Sequence, residues 1–256
     1  MAAKLTFLGT GTSQGVPMIG CQCEVCRSED SRDKRLRASV LVEYEGLTIL
    51  VDAGPDFRQQ MLAAGVSHVD AILLTHNHKD HTGGLDDIRA FNYHEKKATQ
   101  IYCESYVEES LRMEYSYAFA EKKYPGAPEW EVHNIDDKPF SINGVEIFPI
   151  RGRHYKLPVL GFRFGNIAYC TDMNHIPEEE FAKLQGLDHF IINTVRRGHH
   201  ISHYGLETAI QVAERVGAKH SWLTHLSHQL PQHEVLAAEL PEGIKPAYDG
   251  LVIISE

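Results

Sequence analysis

Residues 75–81 read Thr-His-Asn-His-Lys-Asp-His, and an apolar run, Ala71-Ile72-Leu73-Leu74, leads straight into them. His76, His78, Asp80 and His81 therefore fall together at the mouth of a short β-strand. Imidazole and carboxylate side chains together suit zinc, manganese or iron(II). Four such side chains within six residues can hold a pair of ions in an open site. A pair of ions in such an open site points to hydrolysis by a metal-activated water. The chain holds 16 histidines in 256 residues, so a His-rich loop can arise by chance. The flanks fit a site nonetheless. Thr82-Gly83-Gly84 lets the backbone turn where a larger side chain would obstruct, and Leu85–Ala90 reads as the start of a helix.

Two ions need more than four ligands. His154 follows the apolar strand Val145–Ile150, Asp172 ends the run Ile167–Thr171, and His225 ends Ser221–Thr224. Each alone could cap a turn or satisfy a core. Together, each stands where a short apolar run stops, which is where the first motif also stands. The strand Leu47–Val51 likewise ends in an acid, Asp52, which can cap a turn. Asp52 and Asp172 occupy similar places in the two halves of the chain, a weak sign of duplication.

A second cluster lies near the N-terminus, where Cys21, Cys23 and Cys26 form C-x-C-x-x-C. Disulfides between cysteines so tightly spaced would be strained. Three thiolates on one loop make good zinc ligands, and a closed structural site wants a fourth. His228, three residues after His225, is the candidate. Cys103 and Cys170 lie outside the cluster and read as buried thiols.

The H-x-H-x-D-H segment resembles the signature of the metallo-β-lactamase superfamily. That resemblance implies an α/β fold of four layers, an αββα sandwich with the active site along one edge. It also implies a ligand set: His76, His78 and His154 for one ion, Asp80, His81 and His225 for another, and Asp172 bridging, with Asp52 orienting a ligand by hydrogen bonding. The opening Phe7–Pro17, the cysteine loop and Thr224-His225-Leu226-Ser227-His228 narrow the likeness. Together they resemble the family of phosphoribosyl 1,2-cyclic phosphate phosphodiesterases, nearly end to end. A protein of pyrroloquinoline quinone biosynthesis has a similar cysteine loop, and the tRNA 3′-processing endonucleases share the metal core. The resemblance picks out His203, in Ser202-His203-Tyr204-Gly205-Leu206-Glu207, as general acid, beside Asp80 as a catalytic position. His199 and His200 read as a solvated loop. It implies two divalent ions, zinc or manganese, at the active site, one structural zinc at the cysteines, and a homodimer.

The formal net charge of −10 argues against a polyanion such as tRNA as substrate, and a small phosphodiester is expected instead. Gly9-Thr10-Gly11-Thr12 lacks the P-loop pattern and reads as a strand-to-loop turn whose amides could reach substrate. No linker, membrane span or signal segment is visible, so residues 1–256 read as one cytoplasmic hydrolase domain. Strands are expected near 4–8, 38–44, 47–52, 71–75, 100–103, 145–150, 160–164, 167–171, 189–193, 220–224 and 251–254. Helices are expected near 56–64, 85–90, 105–122, 178–184, 205–216 and 232–238. The aromatic-rich stretch 91–140 is either a helix packed on the sheet or a lid or dimer surface beside the metals. Hydrolysis at an acyl carbon, as by lactonases or thioesterases, and a non-catalytic biosynthetic role are the competing functions.

Overall fold

The computed structural model describes residues 2–256. Two seven-stranded sheets stack face to face. The first is built from β1 (Ala3–Gly9), β2 (Ser39–Tyr44), β3 (Leu47–Val51), β4 (Ala71–Leu73), β5 (Thr99–Cys103) and β6 (Trp130–Asn134), closed by β14 (Val252–Ile254). The second contains β7 (Phe140–Ile142), β8 (Val145–His154), β9 (Leu157–Phe164), β10 (Ile167–Cys170), β11 (His189–Asn193), β12 (His220–Thr224) and β13 (Ile244–Pro246). Spatial order is β14-β1-β2-β3-β4-β5-β6 in one and β13-β12-β11-β10-β9-β8-β7 in the other.

Between the sheets, the inward residues of each strand form one apolar layer, with Leu5, Phe7, Val42 and Ile49 facing Leu160, Phe162, Phe164 and Tyr169. Alternation along β1 and β2 puts these side chains on one face. The outer face of the first sheet is covered by α2 (Phe57–Ala64), α4 (Arg89–Glu95) and α5 (Ser105–Glu114), through Phe57, Met61, Phe91, Val107 and Leu111. α6 (Leu206–Val216) and α7 (His233–Glu239) cover the second. In α6 the buried residues Leu206, Ala209, Ala213 and Val216 recur at helical spacing, and Gly217 ends the helix in left-handed backbone at φ 65°. Two short helices, α1 (Glu24–Arg27) and α3 (Lys79–Thr82), belong to loops that carry metal-ligand side chains. The four-layer sandwich expected from the sequence is the fold observed.

The halves are alike in detail. β3 pairs antiparallel with β2 and parallel with β4; β10 pairs antiparallel with β9 and parallel with β11. Asp52 and Asp172 thus follow the strand at which each sheet changes direction, which is where crevices open in α/β sheets.

Several elements differ from the expectation. β8 runs on to His154, and Tyr155-Lys156 turns it directly into β9, so His154 closes a strand rather than following one. β6, β7 and β13 were not expected; they are short edge or near-edge strands, too polar or too brief for a period-2 pattern. The helix expected at 85–90 is a 3₁₀ turn, Leu85–Ile88, that leads into α4. The one at 105–122 stops at Glu114, and the Tyr115 hydroxyl then donates to Thr82 O at 2.9 Å. Residues 178–184 form 3₁₀ helix, with Glu180 accepting the Arg151 N–H at 2.8 Å.

Candidate metal centre

Asp52, Asp172 and His225 all have left-handed backbone, at φ 64°, 56° and 56°, just beyond β3, β10 and β12. Non-glycine residues pay about 1 kcal/mol or more for this conformation, and such strain clusters at functional sites. Here it turns all three side chains toward one sheet edge. The turn after Asp52 is pressed against the loop that carries α3. A Cβ on Gly54 would lie 2.0 Å from Asp80 O, and one on Gly84 2.0 Å from Gly54 O. Ala53 N–H donates to His81 O at 2.8 Å across the same contact.

Asp52 organises the imidazoles. Its carboxylate accepts from the Thr75 N–H at 2.9 Å, the Thr75 hydroxyl at 2.9 Å and His81 Nδ1 at 2.6 Å. The Thr75 hydroxyl has one proton, and Asp52 takes it. Its oxygen, 2.9 Å from His76 Nδ1, therefore accepts from that ring. Both rings thereby commit Nδ1 to these bonds and present Nε2 to the site, where a proton or a metal ion can take it. Asp52 thus orients ligands rather than capping a turn, and burial holds its own pKa up against the pull of His81.

The convergent atoms fall into groups. His76, His78 and His154 present ring nitrogens within 4.8 Å of one another, and so do the ligand atoms of Asp80, His81, Asp172 and His225. His81 Nε2 lies 3.2 Å from both Asp80 and Asp172, and His225 Nε2 lies 3.2 Å from Asp172. Yet the buried Nε2 atoms of His76, His81 and His225 form no hydrogen bond. Bare imidazole lone pairs aimed at acceptor-only carboxylates call for positive charge between them, so the residues fit divalent ions. The titrations agree. Burial and the neighbouring His81 hold His76 well below its usual range, and burial takes His154 down to about 4. Burial opposes charge on His81, but Asp172, Asp80 and Asp52 outweigh it and drive its pKa up. Asp172 is held well below the carboxylate range despite burial, by His225 and His81.

His203 comes to the same place. Its Nε2 is 3.0 Å from Asp172 Oδ1, and its ring packs 4.5 Å from His154 and 4.8 Å from His225. It also groups with His154 and Asp172 as a third set of potential ligands, a grouping not expected from the sequence. Burial lowers its pKa. His200 Nδ1 lies 3.2 Å from His203 Nδ1, so the adjoining loop is less detached than expected. Every sequence-predicted residue of this centre is thus brought to one edge.

The cysteine loop forms its own group. Cys21, Cys23, Cys26 and His228 present ligand atoms within 4.8 Å of one another, with His228 Nδ1 3.2 Å from Cys21 Sγ and 3.4 Å from Cys23 Sγ. The Cys26 N–H pulls the Cys23 thiol down to about 6, while burial pushes Cys26 up to about 11. This group is coupled to the first through the chain. Leu226, between His225 and His228, donates its N–H to Thr10 O at 2.8 Å and accepts from Thr12 N–H at 3.1 Å. The Gly11 N–H donates to Leu36 O at 2.7 Å. The amides of Gly11 and Thr12 are therefore committed to structure, a correction to their expected reach toward substrate. Cys103 and Cys170 are fully buried, with pKa values raised by that burial.

Within the aromatic segment, α5 packs on the sheet and buttresses the centre. On α5, the Ser110 hydroxyl accepts from Asn77 Nδ2 at 2.8 Å, between His76 and His78. The Tyr106 hydroxyl donates to Pro158 O at 2.6 Å, joining α5 to β9 of the second sheet. Sequence reasoning missed Thr75, Asn77, Asn174 and Asn193 as supports. Their one visible signal was position, each being a small polar residue at or just beyond the end of an apolar run.

Comparison with known proteins agrees with this geometry. The β-lactamase superfamily domain model matches residues 48–226. An octanoyltransferase of Porphyromonas gingivalis is 44% identical over 254 residues, covering 98% of this chain and 51% of that protein. The chain thus spans about half the length of that curated relative. A solved structure described as a new diphosphatase from the PhnP family superposes with a TM-score of 0.93 at 39% identity, covering 100% of this chain and 98% of that one. Zinc-bound PqqB of Methylobacterium extorquens superposes at 0.78 with 20% identity, over 98% and 99% of the two chains, a likeness of fold. With the ligand groups, the doubled sheet and these matches together, the chain belongs to the metallo-β-lactamase superfamily of metal-dependent hydrolases and is PhnP-like.

Proposed function

We propose that this protein is a phosphodiesterase acting on a small, cyclic or nucleotide-like phosphodiester. The observation that carries this is two groups of unpaired ligand nitrogens meeting at one carboxylate, Asp172, with the His203 imidazole 3.0 Å from it. His76, His78 and His154 would hold one divalent ion, Asp80, His81 and His225 the other, and Asp172 both. Zinc and manganese both suit this donor set. When bound, the ions supply Lewis acidity to the phosphoryl oxygens and lower the pKa of a water. The chain supplies the rest. Asp52 and Thr75 hold the His76 and His81 rings in the ligating tautomer. His203 donates a proton to the leaving oxygen. Cys21, Cys23, Cys26 and His228 would hold a structural zinc.

The diphosphatase neighbour supports chemistry at phosphorus, and a diphosphate differs from a diester in its leaving group. The test is turnover by purified, manganese-supplemented protein of bis(p-nitrophenyl) phosphate, p-nitrophenyl phosphate and a nucleoside diphosphate. Hydrolysis of the diester without the monoester is expected. Hydrolysis of the diphosphate alone would move the activity to anhydrides.

A second reading, attack at an acyl carbon, is favoured by the name of the P. gingivalis relative, which belongs to a protein about twice as long. An octanoyl thioester separates the two: its hydrolysis, with no turnover of any phosphorus substrate, would establish acyl chemistry.

A further inference from the structure

One side chain with no assigned role joins three segments of the centre. Asn174, two residues beyond Asp172, donates its backbone N–H to Arg153 O at 2.8 Å. Its side-chain Oδ1 accepts the Tyr155 N–H at 3.0 Å, and its Nδ2 donates to Ile201 O at 2.9 Å. These contacts flank His154 on both sides and reach the loop that carries His203. The strand end itself is fixed separately. Fully buried Asn193 accepts the Met173 N–H at 2.7 Å and donates to Met173 O at 3.0 Å. Asn174 is therefore free to reach outward from a rigid base.

The loop it reaches has little else to hold it. Among the described residues, the other hydrogen bonds of residues 199–202 stay within 196–203. Ile201 is 59% exposed, and a cavity of about 340 Å³ lined by Asn174, His199, His200 and His203 lies behind the loop. On the far side of His203, buried Tyr204 donates its N–H to Met173 O at 2.9 Å, and on the near side the bond from Asn174 to Ile201 O ties residues 199–202 to the rest of the fold. The two contacts also demand an amide. An aspartate would keep the bond from Tyr155 N–H but turn a second acceptor toward the Ile201 carbonyl.

We infer that Asn174 is a positioning residue, whose amide sets where the His203 imidazole stands relative to His154 and Asp172. This rests on the phosphodiesterase activity proposed above. A 4-nitrophenolate leaves without a proton, whereas a ribose alkoxide needs one, so displacing His203 harms the second far more.

The test compares wild type, Asn174→Asp, Asn174→Ala and His203→Ala on bis(p-nitrophenyl) phosphate and on a 2′,3′-cyclic nucleotide. Asn174→Asp is expected to lower kcat on the cyclic ester by about 10- to 100-fold, to lower it far less on the aryl ester, and to leave KM near wild type. His203→Ala should show the same dependence on leaving group. In metal-free protein, amide hydrogen exchange should quicken over 196–203 in both Asn174 variants, and at Tyr155 in Asn174→Ala alone. Equal losses on both esters, or unchanged exchange over 196–203, would overturn the inference while leaving the phosphodiesterase intact. No leaving-group dependence in His203→Ala would overturn His203 as proton donor and this inference with it, while no turnover of either ester by wild type would overturn the phosphodiesterase reading as well.

Discussion

Asp172 and His233 show two ways in which a single side chain matters here. Asp172 has left-handed backbone and stands between both ligand groups. Asparagine tolerates that backbone, so Asp172→Asn removes a charge without adding strain. Steady-state kinetics should show kcat on a diester reduced by roughly a thousandfold or more, with a melting temperature near wild type. His233 is buried far from this centre, with its Nδ1 3.2 Å from Arg35 Nη2 and its N–H donating to Asp33 at 2.8 Å. Burial, then the charge of Arg35, lowers its pKa from 6.5 to about 4. The unfolded chain therefore takes up this proton first as pH falls. The stability it contributes is complete above 6.5 and is lost as pH falls through 4, on the order of 2 kcal/mol. Chemical denaturation of His233→Gln at pH 7 and pH 4.5 should show that much less pH dependence than wild type.

Between elements, close backbone approach and shared loops do the positioning. A methyl group at Gly54 would meet Asp80 O at 2.0 Å, so Gly54→Ala must part the Asp52 turn from α3. Metal titration followed by calorimetry should show affinity at the Asp80–His81–His225 group weakened by about 10- to 100-fold, with binding at the cysteine loop unchanged. The cysteine loop tests the coupling through Leu226. Cys23→Ser should lose one zinc per chain by elemental analysis and lower the melting temperature by roughly 10 °C. It should also open the 226–230 segment to protease. The ligands at the catalytic edge were legible in the sequence because they follow the ends of apolar runs, where a strand delivers them, and the cysteines because of their C-x-C-x-x-C spacing. Asn174, Thr75 and Asn193 were not legible as supports. Their partners are backbone atoms or side chains brought near by the fold, and no spacing encodes such contacts. β6 and β7 escaped notice for a related reason: short and half-exposed at the sheet edge, they bury too little on one face to need alternation.

At the level of the whole chain, two similar sheets place Asp52 and Asp172 at matching positions and give them unlike work. Asp52 is buried beneath the imidazoles as their acceptor, and Asp172 lies among them. The first sheet contributes His76, His78, Asp80 and His81 from one loop; the second contributes His154, Asp172 and His225 from three strand ends and His203 from the loop before α6. The centre therefore exists only when both halves are docked, and the apolar layer between the sheets holds it together. The most direct measurement is turnover of bis(p-nitrophenyl) phosphate as manganese is added back to protein stripped at its catalytic edge but retaining zinc at the cysteines. Activity should rise to a plateau at two equivalents per chain and be absent throughout in Asp172→Asn. A plateau at one equivalent, or full turnover by Asp172→Asn, would contradict a paired-ion centre bridged by that carboxylate.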